Sequence, residues 1–375
     1  MSTQSPRSAA IGAIIAAGTV GAVVFSACLF GIYTRPLGLL AAVWPANAIL
    51  LAVLVRNPKL ATRYGYIGAT IGFILADLLT GSKLFATLLL TAANLAGVTV
   101  GHVLYSRLDY NDQRLRRPHS VLYLLVIAAA AAFASGIGGS AVGPFLFNET
   151  PISGGTFWFA TEFVNYIAIL PVMLAAPSLT TLNWRQLMNR RRVLSDAALS
   201  DYMRHLLPAA ALLLACTFAE IIGGPGAVAF PVPALLWCAL VYNQWVSTIF
   251  TLLFSFWILL AVTTGHVGSF DFGNRHNLLS LRIGIALIAL GPIMVASVMA
   301  ARNELVDRLE RMAAHDHLTG LLNRRAFNEK SGRLLAALAS ERAPVSVLML
   351  DMGMRIKTWT GFMSLVRDSF GIRWG

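Results

Sequence analysis

Long apolar runs recur along this chain from Ala9 to Ala301. Each is close to the roughly twenty residues that a helix needs to cross the hydrocarbon of a bilayer. Lipid offers no water to a bare backbone, so such runs fold as helices that satisfy their own N–H and C=O groups. Ten runs are predicted as spans, at 9–31, 37–55, 64–80, 84–106, 120–140, 155–176, 205–222, 226–242, 245–264 and 279–301. The expected fold class is mainly α, a polytopic helical membrane bundle of ten spans, or eight if the 226–264 hairpin does not cross. Only 12% of residues are charged, against about 25% in soluble chains. The run after Arg7 is too long for the apolar core of a signal peptide, so it is expected to remain as a span.

Basic residues set the expected direction. Arg7, Arg56, Lys59, Arg63, Arg107, Arg114, Arg116, Arg117, Arg185, Arg190, Arg191, Arg192 and Arg204 fall in one set of alternating loops, thirteen in all; the other set holds Arg35, Lys83 and Arg275. The richer set belongs in the cytoplasm, which places both termini inside. The net charge of +12 is thereby explained by loops against a bilayer, and no nucleic-acid partner is expected. Cys28, Cys216 and Cys238 lie in apolar runs without metal-ligand spacing and are expected to be packing residues.

Polar residues inside apolar runs are costly and need a reason. Asp77, Glu162 and Glu220 are such positions, with Asn94, His102 and Asn165 as polar company. Two readings stand side by side. They form a ligand or proton site facing the bundle interior, or they are interhelical hydrogen bonds that hold the bundle together. Trp44, Trp158, Trp184, Trp237, Trp245 and Trp257 fall mostly near run ends, as interface anchors do. There is no phosphate loop, no dinucleotide fingerprint, no metal-ligand cluster and no clear inverted repeat.

The last run continues into a polar segment. Val298, Arg302, Leu305, Leu309 and Met312 recur at alternating spacings of four and three, the seam of a short coiled coil. A signalling helix over 302–315 is expected, with a homodimer through 298–312 as one reading and a solvated single helix as the other. Thr319-Gly320 then predicts a turn, and the periodic residues Leu321 to Ala339 predict a helix. Beyond Pro344, Val345 to Leu350 reads as a buried strand ending in Asp351.

Asp316, Leu318, Thr319, Gly320, Leu321, Asn323, Arg324, Arg325 and Phe327 fall in a gapless D-x-LTGL-x-NRR-x-F pattern that closely resembles the opening of GGDEF domains, a family of diguanylate cyclases. The resemblance runs from Asp316 to Asp351, and it implies an α/β output domain that joins two GTP into cyclic di-GMP. It implies that Asp351 and the Met352 carbonyl hold Mg²⁺ beside GTP. An Asp at a strand end is well placed for that ion, which prefers carboxylate oxygens and keeps phosphates as co-ligands.

After Met352 the resemblance stops. The family's second Asp is Gly353 here, its Phe is Arg355, its Lys is Ile356 and its guanine-reading Asn is Trp359. No GG[DE]EF signature occurs; the pairs Gly138-Gly139, Gly154-Gly155 and Gly223-Gly224 lie in the apolar region. The expectation is an incomplete GGDEF fragment over 316–352, then a divergent tail over 353–375 that is either frameshifted or lies on the membrane as an amphipathic helix. Such a chain is expected not to make cyclic di-GMP. Mg²⁺ and GTP enter only if the domain is completed, in which case the chain is expected to be an active cyclase.

Residues 1–301 resemble, on fewer positions, the MASE-type multi-pass sensor domains that precede GGDEF domains in bacteria. The residues that carry this are Trp44-Pro45-Ala46-Asn47-Ala48, Arg56-Asn57-Pro58, and Gly68 through Asp77-Leu78-Leu79. It implies a bacterial inner-membrane sensor with an unnamed ligand, embedded in the lipid bilayer. A multi-pass transporter is the competing reading.

Overall fold

The structure, a computed structural model, describes residues 6–34, 43–146, 150–177, 196–263, 267 and 275–340. Each of the ten apolar runs meets a helix. In chain order these are α1 (Pro6–Tyr33), α2 (Ala46–Arg56), α3 (Arg63–Leu79), α4 (Leu84–Tyr105), the short α5 (Tyr110–Gln113), α6 (Ser120–Leu146), α7 (Pro151–Ala175), α8 (Asp196–Ile222), a 3-10 turn (Pro225–Ala229), α9 (Val232–Val241), α10 (Gln244–Thr263), α11 (Arg275–Ala314) and α12 (Arg324–Ser340). Among the described residues there is no β-strand, only an isolated bridge between His315 and Leu322. The expected strand 345–350 lies outside the described residues.

Among the described residues, six helices are long and apolar enough to cross a membrane: Ala10–Tyr33, Leu84–Tyr105, Ser120–Phe145, Pro151–Ala175, Gln244–Val262 and Asn277–Ala314. The apolar stretches Ala46–Arg56, Leu206–Ile222 and Pro225–Val241 are shorter. The eleven residues of α2 rise about 16 Å, roughly half of a hydrocarbon core. Among the described residues the ten runs thus meet six helices of membrane length and several shorter ones.

Local chemistry starts and stops the helices. Thr62 and Thr150 accept from the amides of Gly65 and Ser153 at the starts of α3 and α7, which satisfies otherwise orphaned donors. At the far end of α7, Arg56 donates to the Met173 and Ala176 carbonyls and Arg114 to those of Leu174 and Ala176. Two guanidiniums at the negative end of a helix dipole are a stabilising arrangement.

The chain divides into two compact units, Met1–Val306 and Asp307–Gly375. In the first, α6 lies along α7 and α4, α1 lies along α3, and α2 rests against α1, α4 and α7. Small residues permit this. A Cβ on Gly68 would stand 2.1 Å from the Ala17 carbonyl oxygen, and one on Gly72 would stand 2.6 Å from that of Gly21. Backbones approach this closely only where side chains are missing, the common device of helix pairs in lipid.

The 107–119 loop is itself built. Buried Asp112 accepts from Ser120 at 2.8 Å and pairs with His119 at 3.0 Å and Arg117 at 3.3 Å. Leu115 takes a positive φ of 56°, and its carbonyl accepts from Gln244 and, at 2.7 Å, from Ser297 on α11.

Candidate functional site

The GGDEF-like motif forms a connector between two helices. Asp316 Oδ1 accepts from the Leu318 amide at 3.1 Å, the Thr319 amide at 2.9 Å and the Thr319 hydroxyl at 3.0 Å. Gly320 then turns the chain at φ 69°, a conformation that glycine adopts without the Cβ penalty. His315 donates from Nδ1 to the Gly320 carbonyl at 2.8 Å. Asn323 closes the turn in both directions. Its Oδ1 accepts from the Ala326 amide at 3.0 Å, and its Nδ2 donates to the Ala313 carbonyl at 2.6 Å. It therefore caps the start of α12 and the end of α11 at once.

This corrects one expectation. The helix predicted from Leu321 begins at Arg324, because Asn323 is its N-cap and Leu321 and Leu322 belong to the turn. Leu318 and Leu321 are exposed. Arg325 pairs with Glu329 at 3.1 Å. Asp351 and Met352 lie outside the described residues.

The Thr319 amide, then its hydroxyl and the Leu318 amide, hold the Asp316 carboxyl below the usual carboxylate range. A group with a depressed value contributes stability above its ordinary value and loses it as pH falls through the depressed one, so this turn loosens only in acid. Replacing Asn323 with alanine removes an N-cap worth about 1 kcal/mol together with the tie to α11. The expected result is faster protease cleavage within 316–323. Unchanged cleavage would strip Asn323 of this role.

The apolar unit holds a second group. α2 begins at Ala46, and Ala46, Asn47 and Ala48 are fully buried, yet its N-cap Pro45 supplies no side-chain bond. The amide of Trp44 donates to Asn165 Oδ1 at 3.2 Å, and Asn165 donates to the Thr161 carbonyl at 2.8 Å. Asn47 Nδ2 donates to Asn94 Oδ1 at 3.0 Å, and the same Asn47 amide bears on the Glu162 carboxyl. Glu162 is 2% exposed. Its Oε2 has no hydrogen-bond partner, and neither has Asn47 Oδ1.

Glu162, Asn94 and Asn165, singled out from sequence, are therefore brought together by α2. Glu220 stands elsewhere, exposed and accepting from Trp257 Nε1 at 2.8 Å. Asp77 is buried near the end of α3, where its carbonyl accepts from Thr80 and Ser82. His102 pairs with the Tyr66 hydroxyl at 2.9 Å.

Two members were missed as site residues. Asn47 was noticed only as part of a motif. Arg282, on α11, is 5% exposed, donates to the Thr161 hydroxyl and lies 4.4 Å from the centre of the Phe157 ring. An arginine inside an apolar run is a legible signal. Among the described residues no cluster of three or more His, Cys, Asp or Glu has metal-site geometry.

Comparison with known proteins finds two kinds of likeness. Residues 313–354 match the family model described as "Diguanylate cyclase, GGDEF domain". The chain is 25% identical over 339 residues, 88% of its length, to "Probable diguanylate cyclase DgcF" of Escherichia coli O157:H7, covering 64% of that protein. It is 27% identical over 217 residues to the protein of the same description from Escherichia coli strain K12, covering 57% of this chain and 60% of that one. The chain thus spans under two thirds of the length of these relatives. No solved structure matches. Residues 313–354 are thus similar to the opening of a GGDEF domain, and they follow a region of apolar, membrane-length helices.

Proposed function

We propose that this is a membrane-bound sensory protein of the diguanylate cyclase family, with a MASE-like helical input region over 1–301 and an output that begins at Asp316. One observation carries the reading. α11 runs as helix from Arg275 to Ala314, so in chain order the last apolar run continues without a break in helical structure to the GGDEF-like opening. Val298, Leu305, Leu309 and Met312 are exposed along it, which suits a homodimer seam through 298–312. The site of input is taken to be the acids within the apolar helices, buried Glu162 foremost, with buried Asp77 and exposed Glu220 as further candidates.

The thirteen-to-three bias in basic residues supports a bacterial inner membrane with both termini in the cytoplasm. At the output end, Asp351 and the Met352 carbonyl would hold Mg²⁺ in a completed domain, since that ion prefers carboxylate and carbonyl oxygens beside phosphate. When bound, that ion would neutralise charge on the GTP phosphates. GTP binding and turnover belong to a completed domain.

The test is a chain with a complete GGDEF domain grafted in frame after Asp351, carrying Gln113→Cys as a topology marker. It should make cyclic di-GMP, and inserting residues one to four at a time within 302–312 should change the rate with the helical period. The cysteine should react with an impermeant reagent only once the inner leaflet is opened. A rate indifferent to helix phase would defeat the signalling reading, and labelling from outside intact cells would defeat the topology.

A further inference from the structure

The hydrogen bonds around Asn47 are incomplete in a specific way. Asn47 donates to Asn94, which leaves its own carbonyl oxygen buried without a donor; Glu162 Oε2, on the neighbouring α7, is buried without a donor as well. The Asn47 side chain is in hydrogen-bonding contact with the Glu162 carboxyl, so the two orphaned acceptors lie on touching side chains, and one added hydrogen could serve both. Buried acceptors left unmade are costly, and a carboxylic acid is both a donor and an acceptor.

We propose that Glu162 is an intramembrane proton site. The acid donates from Oε2 to Asn47 Oδ1, and Asn47 passes the bond on to Asn94. Losing the proton reverses the file. The carboxylate then needs a donor, Asn47 turns its NH₂ group toward Glu162, and Asn94 turns its NH₂ group toward the freed Asn47 oxygen. One proton thus sets the direction of a hydrogen-bond chain that crosses α7, α2 and α4, at the buried start of α2. Asn94 lies on one face of α4 with Thr87 and Thr91, whose buried hydroxyls are also unpartnered. Residues at these spacings follow one another along a helix face, so further unpartnered polar groups share the face of α4 on which the hydrogen-bond chain ends.

The surroundings admit a neutral acid. α6 and α10 bring no charged side chain to α7, and the only charge on α2 is Arg56 at its opposite end. Tyr166 is the titratable neighbour on α7 itself. Arg282 reaches Thr161, but adjacent residues point about 100° apart around a helix, and no ion pair joins Arg282 to Glu162. That the site serves as the sensory input rests on the function proposed above; the proton itself does not.

Infrared spectroscopy of the full chain in lipid reads the proton directly, with no cyclase assay involved. At neutral pH the carbonyl stretch of a protonated carboxylic acid should be present, should be missing from Glu162→Gln, and should fade as pH is raised. Asn47→Leu should shift that band, since the acid loses its acceptor. If Glu162→Gln does not assemble, Glu162→Asp should move the band in its place. A protonated-acid band that is absent, or indifferent to all three variants, overturns the proposal. So does a band that sodium chloride removes at constant pH, which would give the site to a cation. Grafted-cyclase activity unaltered by Glu162→Gln, with the band behaving as described, would leave the proton site standing and remove only its sensory use.

Discussion

Replacing Gly68 with valine is expected to abolish recovery of folded protein from the membrane, whereas Gly18→Ala on the facing α1 leaves it intact. A Cβ at position 68 would lie 2.1 Å from the Ala17 carbonyl oxygen and 2.8 Å from the Ala17 Cα, both backbone atoms that no rotamer change can clear. The helices would have to part along the whole α1–α3 contact. Overpacking typically costs about 1–3 kcal/mol, occasionally more, and a backbone clash spread along two helices belongs at or above the top of that range. Gly18 meets nothing within 4 Å, so alanine there removes a helix-weakening glycine worth about 0.5–1 kcal/mol. Size-exclusion profiles and melting in detergent check the pair. Equal behaviour of the two variants would mean that α1 and α3 do not pack this closely.

The second large effect concerns output. A polypeptide of these 375 residues, purified and given GTP and Mg²⁺, is expected to form no cyclic di-GMP. Phosphoryl chemistry depends on positioned metal ions and on groups that clamp the phosphates. Within this sequence, Asp351 is followed by Gly353, Arg355, Ile356 and Trp359 where the resembled family has Asp, Phe, Lys and Asn, and no GG[DE]EF signature supplies a further carboxylate. One carboxylate cannot replace the set. Product that disappears on Asp351→Ala would overturn this expectation.

Hydropathy made the helical class legible because lipid forces apolar runs into one kind of secondary structure. It did not make helix lengths legible. The run over 37–55 reads like its neighbours, yet among its described residues, which begin at Val43, helix starts at Ala46, after Pro45. A hydropathy sum counts apolar side chains and does not notice where backbone bonding begins. The acids were visible one at a time, but their partners came from helices distant in sequence. Glu162 met Asn47 across more than a hundred residues, while Glu220 met the Trp257 indole. At the GGDEF opening the turn was legible from Thr319-Gly320. The helix start was misplaced because Leu321 and Leu322 extend an apolar pattern that the capping Asn323 interrupts.

The tie between Ser297 and the 107–119 loop has a mechanical meaning. The hydroxyl faces two loop carbonyls, those of Leu115 at 2.7 Å and Arg117 at 2.9 Å, and can donate to only one at a time. A turn of α11 by one residue's worth, about 100°, would carry it away from both. Such a bond is worth about 1 kcal/mol, enough to bias an angle and too little to lock it. The loop bond therefore acts together with the buried face of α11, formed by Ile285, Ala289, Ile293 and Ala296, as a latch on the last turn of that face: both hold the same side of the helix against its neighbours.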